Sequence, residues 1–283
     1  MKNILIATDF SKESYCALYY TAELFREGDT RFLIANFYGE AIHKSIYSLV
    51  NEEEFVRETK ISHSAQENCT KVMHQVIRDT GLPKERFEVM YSEEKLESGI
   101  KELVKQHKID LLVMATSKHE GSLSQLQDTH TTKIINKGLP CPILIVPREM
   151  DYKVPKKIAF ASDLKRPIPE TSIKLFVALA EHFKSQVHVV YDGEEEGLSK
   201  KQWANFTNLK KLFPEDSVKL VTTFTHIEIS RTIAEYVKNN KIDLLGMIYY
   251  KHSIAGNIFR EPVVENIDRH LSFPFLILPE ILE

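Results

Sequence analysis

Three segments of the chain occur twice, in the same order, and this repeat limits the fold more than any other feature. Lys2–Ser11 reads KNILIATDFS and Lys156–Lys165 reads KKIAFASDLK, each an apolar run that ends in a small residue and an aspartate, Asp9 or Asp163. Lys108–Glu120 reads KIDLLVMATSKHE and Lys241–Ser253 reads KIDLLGMIYYKHS, so KIDLL, a Met and a Lys-His pair fall in register. Leu139–Glu149 (LPCPILIVPRE) and Leu271–Ile281 (LSFPFLILPEI) close the two halves. A fixed order of matching segments signals duplicated structural units. The 283 residues therefore divide into homologous domains at 1–149 and 155–283, joined by the polar REMDYKVP stretch.

Within each half, short apolar runs alternate with helical patterns. The first half places strands near Asn3–Thr8, Arg31–Phe37, Phe87–Tyr91, Leu111–Ala115 and Ile143–Val146. Lys12–Arg26, Glu52–Thr80, Glu93–His107 and Leu123–Lys137 carry helical periodicity. The second half places strands near Lys157–Ala161, Gln186–Tyr191, Val218–Thr222, Leu244–Ile248 and Phe275–Leu278. Its helices are expected near Pro169–Lys184, Ser199–Phe213, Ile229–Asn239 and Asn257–His270. The strands are Val/Ile/Leu runs with little alternation, so both faces must be covered. Each half reads as an α/β, Rossmann-like, doubly wound unit with a five-stranded, mostly parallel sheet in the order 3-2-1-4-5. The row Phe55, Ser62, Ala65, Cys69, Val72, Met73 and Val76 on the long helix gives one modest apolar face, read as its packing onto the sheet in preference to a partner groove.

Composition removes several functions. A net charge of −3, without a stripe of basic and aromatic residues, argues against nucleic acid. Asp9 interrupts the N-terminal apolar run too early for a signal peptide or membrane span. Cys16, Cys69 and Cys141 are far apart, which fits reduced thiols in a cytoplasm rather than a disulfide framework. No H-E-x-x-H is present, His63 and His74 do not share a helical face at zincin spacing, and His226 with Glu228 is a weak pair, so no metal is expected. Gly121-Ser122 lacks the nucleophile-elbow context, and no Ser/His/Asp or Cys/His set has supporting spacing, so no catalytic residue is assigned.

In a doubly wound unit, ligands bind where strand order reverses, at the carboxyl ends of strands one and four. Those ends are Asp9 with Thr116–Lys118, and Asp163 with Tyr249–Lys251. Two readings of the aspartates stay open: capping of the following helix, or contact with a ligand such as a ribose or base. The recurrence of Lys118-His119 and Lys251-His252 fits inherited loop structure as well as function.

The ATDFS strand end, the KIDLLVMA strand with its following loop, and the PCPILIVP final strand resemble the universal stress protein family, over nearly the whole chain and twice. The resemblance implies a Rossmann-like fold, tandem domains and association through the fifth strand. It also implies a division into members that bind ATP and members that do not. The binders carry a G-x2-G-x9-G-[ST] loop after strand four, whose glycines let backbone amides wrap phosphates. Here the motif positions fall on Ala115, Lys118, Asp128 and Thr129, and in the second half on Ile248, Lys251, Glu261 and Pro262. The spacing survives and every glycine is gone. A side chain at the first position hinders close approach of backbone to phosphate. Lys118 and Lys251 could block a phosphate or attract it. Asp128 and Glu261 put a carboxylate beside the would-be anion, a repulsion of roughly 4 kcal/mol at about 4 Å near a surface. Pro262 has no amide to donate.

The expectation is a cytoplasmic stress-response protein with a non-catalytic binding or scaffold role and no cofactor. The alternative is an ATP-binding switch or weak ATPase, working through Asp9, Lys118 and Thr129 of the first domain. An adenylating enzyme is disfavoured, because no glycine-rich synthetase loop follows strand one. The partner expected is the chain itself, as an intramolecular pseudo-dimer through the two final strands. A further homodimer is left open; nucleic acid and membrane are not expected.

Overall fold

The computed structural model describes residues 2–40, 54–116, 130–148, 150–223, 229–250 and 272–281. Contacts divide the chain into two compact units, Met1–Ile134 with Val146–Tyr152, and Ile135–Ile145 with Lys153–Glu283.

The first unit is built on β1 (Lys2–Ala7), α1 (Lys12–Leu24), β2 (Thr30–Phe37), α2 (Glu54–Thr80), β3 (Phe87–Ser92), α3 (Leu96–Gln106) and β4 (Leu111–Ala115). Its strands run β3-β2-β1-β4. The β1 pairs are parallel, with Ala7 opposite Ala35 of β2 and Ile4 opposite Leu111 of β4. Ile4, Leu5 and Ile6 are all fully buried, as expected when helices cover both faces of a sheet. Of the row predicted on the long helix, Ala65, Cys69, Met73 and Val76 are buried, and α2 lies against β3 and β2. The side chain of Phe55 lies outside the described residues.

The second unit repeats the plan. β6 (Lys157–Ala161), α5 (Glu170–Phe183), β7 (Gln186–Asp192), α6 (Lys200–Lys210), β8 (Val218–Thr223), α7 (Ile229–Asn239), β9 (Leu244–Tyr249) and β10 (Phe275–Pro279) follow one another. The strands run β8-β7-β6-β9-β10, the 3-2-1-4-5 order expected of a doubly wound half. α4 (His130–Lys137) leads into β5 (Ile143–Val146), whose Ile143–Ile145 pair antiparallel with Ile277–Phe275 of β10. The Asn257–His270 helix lies outside the described residues.

The duplication extends to single hydrogen bonds. Asp110 Oδ2 accepts from the amide of Asn3 and Asp243 Oδ2 from that of Lys157, so the Asp of each KIDLL ties strand four to strand one. Lys108 and Lys241, which open those segments, both have positive φ, 47° and 53°. Thr8 N–H donates to Ala35 O, and Ser162 N–H to Val190 O. Residues after each strand-one aspartate are also left-handed: Phe10 at φ 64° and Leu164 at φ 56°. Their amides donate to the hydroxyls of Thr8 and Ser162.

Candidate functional site

In the first unit, the carboxyl ends of β1, β2 and β4 open onto a crevice of about 530 Å³. This is the strand-order reversal of a doubly wound sheet. β1 supplies Thr8 and Asp9, β2 supplies Asn36 and Phe37, and β4 supplies Met114, Ala115 and Thr116. The first turn of α1 adds Glu13 and Ser14, and Glu40 and Leu96 complete the rim.

The local chemistry explains the shape. Ser11, not Asp9, caps α1: its φ and ψ are −71° and 163°, and its hydroxyl accepts from the Ser14 amide at 3.1 Å. Asp9 stands two residues too early to cap, so that reading of Asp9 is corrected. Its Oδ1 accepts instead from the Ser11 amide at 3.0 Å and the Ser11 hydroxyl at 2.5 Å. Partial burial raises the carboxyl's pKa, but these hydrogen bonds outweigh it and hold Asp9 below its ordinary value. Asn36 donates to Thr8 O at 2.8 Å and so fixes the strand end from β2. The Thr8 and Ser14 hydroxyls lie 3.0 Å apart and bond each other. Glu13 lies 3.5 Å from Arg148, whose amide donates to the Thr116 hydroxyl.

The described lining contains Asp9, Glu13 and Glu40 and no Lys, Arg, His or Cys. The serine hydroxyls are engaged with one another, with Thr8, with Asp9 or with backbone. Such a surface can hold a polar or amine-bearing molecule through carboxylate, amide and hydroxyl groups. Among the described residues, no group of three or more His, Cys, Asp or Glu could hold a metal ion, and no helix is long and apolar enough to cross a membrane.

The second unit handles the same place differently. Asp163 Oδ1 accepts from the Lys165 amide at 3.0 Å, but its Oδ2 is buried with no hydrogen-bond partner. Burial raises its pKa, against weaker opposing effects from the Lys165 amide and the charges of Lys165 and Arg166. Asp163 does not cap either, since α5 begins seven residues on, after Pro169. α6, closed at its start by a Ser199/Gln202 capping box, sends Gln202 to Asp163 O and Asn205 to Leu164 O. Ile248 is 6% exposed, and beyond it the guanidinium of Arg166 lies 4.8 Å from the centre of the Tyr250 ring.

Of the motif positions, Ala115 lines the first crevice and Ile248 is buried at the end of β9. Lys118, Asp128, Thr129, Lys251, Glu261 and Pro262 lie outside the described residues, as do His119, His252, Gly121, Ser122, His226 and Glu228. Sequence reading missed Asn36, Glu13 and Glu40 in the first unit, and Arg166 and Glu280 in the second; Tyr250 fell within the strand-four end Tyr249–Lys251 that it named. The repeat aligns Tyr250 with Ser117, a change from small to large at a strand end.

The family model for the universal stress proteins matches residues 1–147, more than half of the chain. The chain belongs to the universal stress protein family. No curated protein shows significant sequence similarity to it. Among solved structures, it resembles a universal stress protein from Archaeoglobus fulgidus at 13% identity and a TM-score of 0.70, over 97% of this chain and 95% of that one. A putative universal stress protein from Pseudomonas aeruginosa matches at 12% identity and a TM-score of 0.58, covering 98% and 93%. The cytoplasmic domain of a prokaryotic cation chloride cotransporter matches at 10% and 0.56, covering 98% and 95%. At these identities the likeness establishes the fold and says nothing of ligand or activity.

Proposed function

We propose that this universal stress protein is a cytoplasmic, non-catalytic binding protein of the stress response, with one working crevice, in its first unit. The observation that carries this reading is the lining of that crevice. Three carboxylates, one of them (Glu13) 3.5 Å from the Arg148 guanidinium, and several engaged hydroxyls surround about 530 Å³. A polyphosphate needs cations or free amides. The degenerate loop positions Ala115, Lys118, Asp128 and Thr129, and Ile248, Lys251, Glu261 and Pro262, argue the same way. The antiparallel pairing of β5 with β10 supports association of the two final strands within one chain.

The alternative, an ATP-binding switch or weak ATPase in the first unit, rests on the position of the crevice at the strand-order reversal and on Lys118. Purified protein should release no adenine nucleotide on denaturation, and millimolar Mg-ATP should leave its melting temperature unchanged. A rise of several degrees, abolished by Asp9→Ala together with Thr129→Ala, would establish the alternative.

A further inference from the structure

We infer that Tyr250 is the resident occupant of the second unit's crevice, an internal ligand that takes the space a diffusible one would need. The two halves share a hydrogen-bond framework, so their differences at this place stand out. In the first unit the helix starts three residues after the strand-one aspartate, at Lys12; in the second it starts seven after, at Glu170. The longer connection carries Arg166. The repeat places Tyr250 where the first half has Ser117.

The ring is held through a chain of contacts. β9 lies parallel to β6, with Phe160 opposite Gly246, so Tyr250, which follows β9, emerges at the carboxyl-end side of both strands. Arg166 covers one face at 4.8 Å, a cation–π distance. Arg166 is in turn fixed by Glu280, Nη1 to Oε1 3.5 Å. Glu280 is placed by the residue after it, whose amide donates to the Ser172 hydroxyl of α5 at 2.9 Å. Burial, with the negative charges of Asp163 and Glu280 nearby, pushes the Tyr250 phenol up to about 12, so it stays a neutral ring at physiological pH. A neutral aromatic body under a guanidinium, tethered to its own site, outcompetes a free molecule through effective concentration alone. The ligand class the site would take is a small neutral phenol.

The test empties the site and refills it. Tyr250→Ala should melt at least about 5 °C below the wild type, and p-cresol should restore part of the loss saturably while leaving the wild type unshifted. Cyclohexanol should restore less, and Arg166→Ala added to Tyr250→Ala should erase the preference for the aromatic probe. A Tyr250→Ala protein that melts like the wild type, or one whose loss p-cresol does not recover, overturns the inference. If that variant does not fold, Arg166→Ala alone decides. It should speed amide exchange over residues 244–250, and unchanged exchange there also overturns it. Both arms read the second unit, so they are separable from the nucleotide test of the first.

Discussion

Asp9 and Asp163 occupy the same place in the repeat and are driven in opposite directions. Hydrogen bonds from Ser11 hold Asp9 below its ordinary value. Its contribution to stability is therefore present above the unfolded pKa of about 3.9 and is lost as pH falls through the folded value. Asp163 is raised by burial. Its charge opposes folding at neutral pH, and that cost disappears as pH falls through its folded value and then the unfolded one. Asp163→Asn keeps an acceptor for the Lys165 amide and removes the buried charge. It should raise stability at pH 7 by about 1 kcal/mol, measured by urea unfolding, with no gain near pH 3. Asp9→Asn should instead lower the melting temperature at pH 7. His188 supplies a second acid dependence. It is 2% exposed on β7, its Nδ1 lies 2.7 Å from the Tyr236 hydroxyl, and its Nε2 is buried without a partner. Burial, then the charges of Lys219 and Lys157, lowers its pKa to about 4. Stability should be full above about pH 6.5 and fall by up to about 1.4 kcal/mol per pH unit toward pH 4. His188→Gln should flatten that slope whatever its effect at pH 7.

At the scale of elements, the strands were legible almost to the residue. β4, β5 and β6 begin and end where their Val, Ile, Leu and Ala runs do, because a strand covered on both faces has little room for polar side chains. Helix ends were less legible. α3 starts at Leu96 rather than Glu93, and α6 ends at Lys210 rather than Phe213; such ends depend on local turns. Close approaches were not legible at all. Gly246 of β9 faces the Phe176 ring of α5 so tightly that a Cβ there would stand 2.6 Å from it. The ring also meets Phe160 in a tilted contact at 5.6 Å and Phe213 edge-on at 6.2 Å, so it cannot easily yield. Gly246→Ala should destabilise the second unit by about 1–3 kcal/mol, seen as a lower urea midpoint, whereas Val113, the matching residue of β4, tolerates a side chain. That pair tells the halves apart where the KIDLL motif makes them look the same.

For the molecule as a whole, one half presents an open crevice, and in the other, on the inference above, Tyr250 takes that place. A polar or amine-bearing ligand found by thermal-shift screening should therefore bind with a stoichiometry of one per chain in calorimetry. Asp9→Ala should weaken that binding at least about tenfold, and Asp163→Ala should leave it unchanged. The sequence by itself determined the duplication, the strand order and the loss of glycines from both nucleotide loops. Each of these is written in local runs or fixed spacings, and burial of apolar strands under helices leaves few other arrangements. Only the tertiary structure decided which other residues meet at each pair of strand ends. The residues responsible, Asn36, Glu13 and Glu40 in one half and Arg166 and Glu280 in the other, come from separate elements or loops. A cation over a ring, or a carboxylate left without a partner, exists only once separate strands bring their ends together.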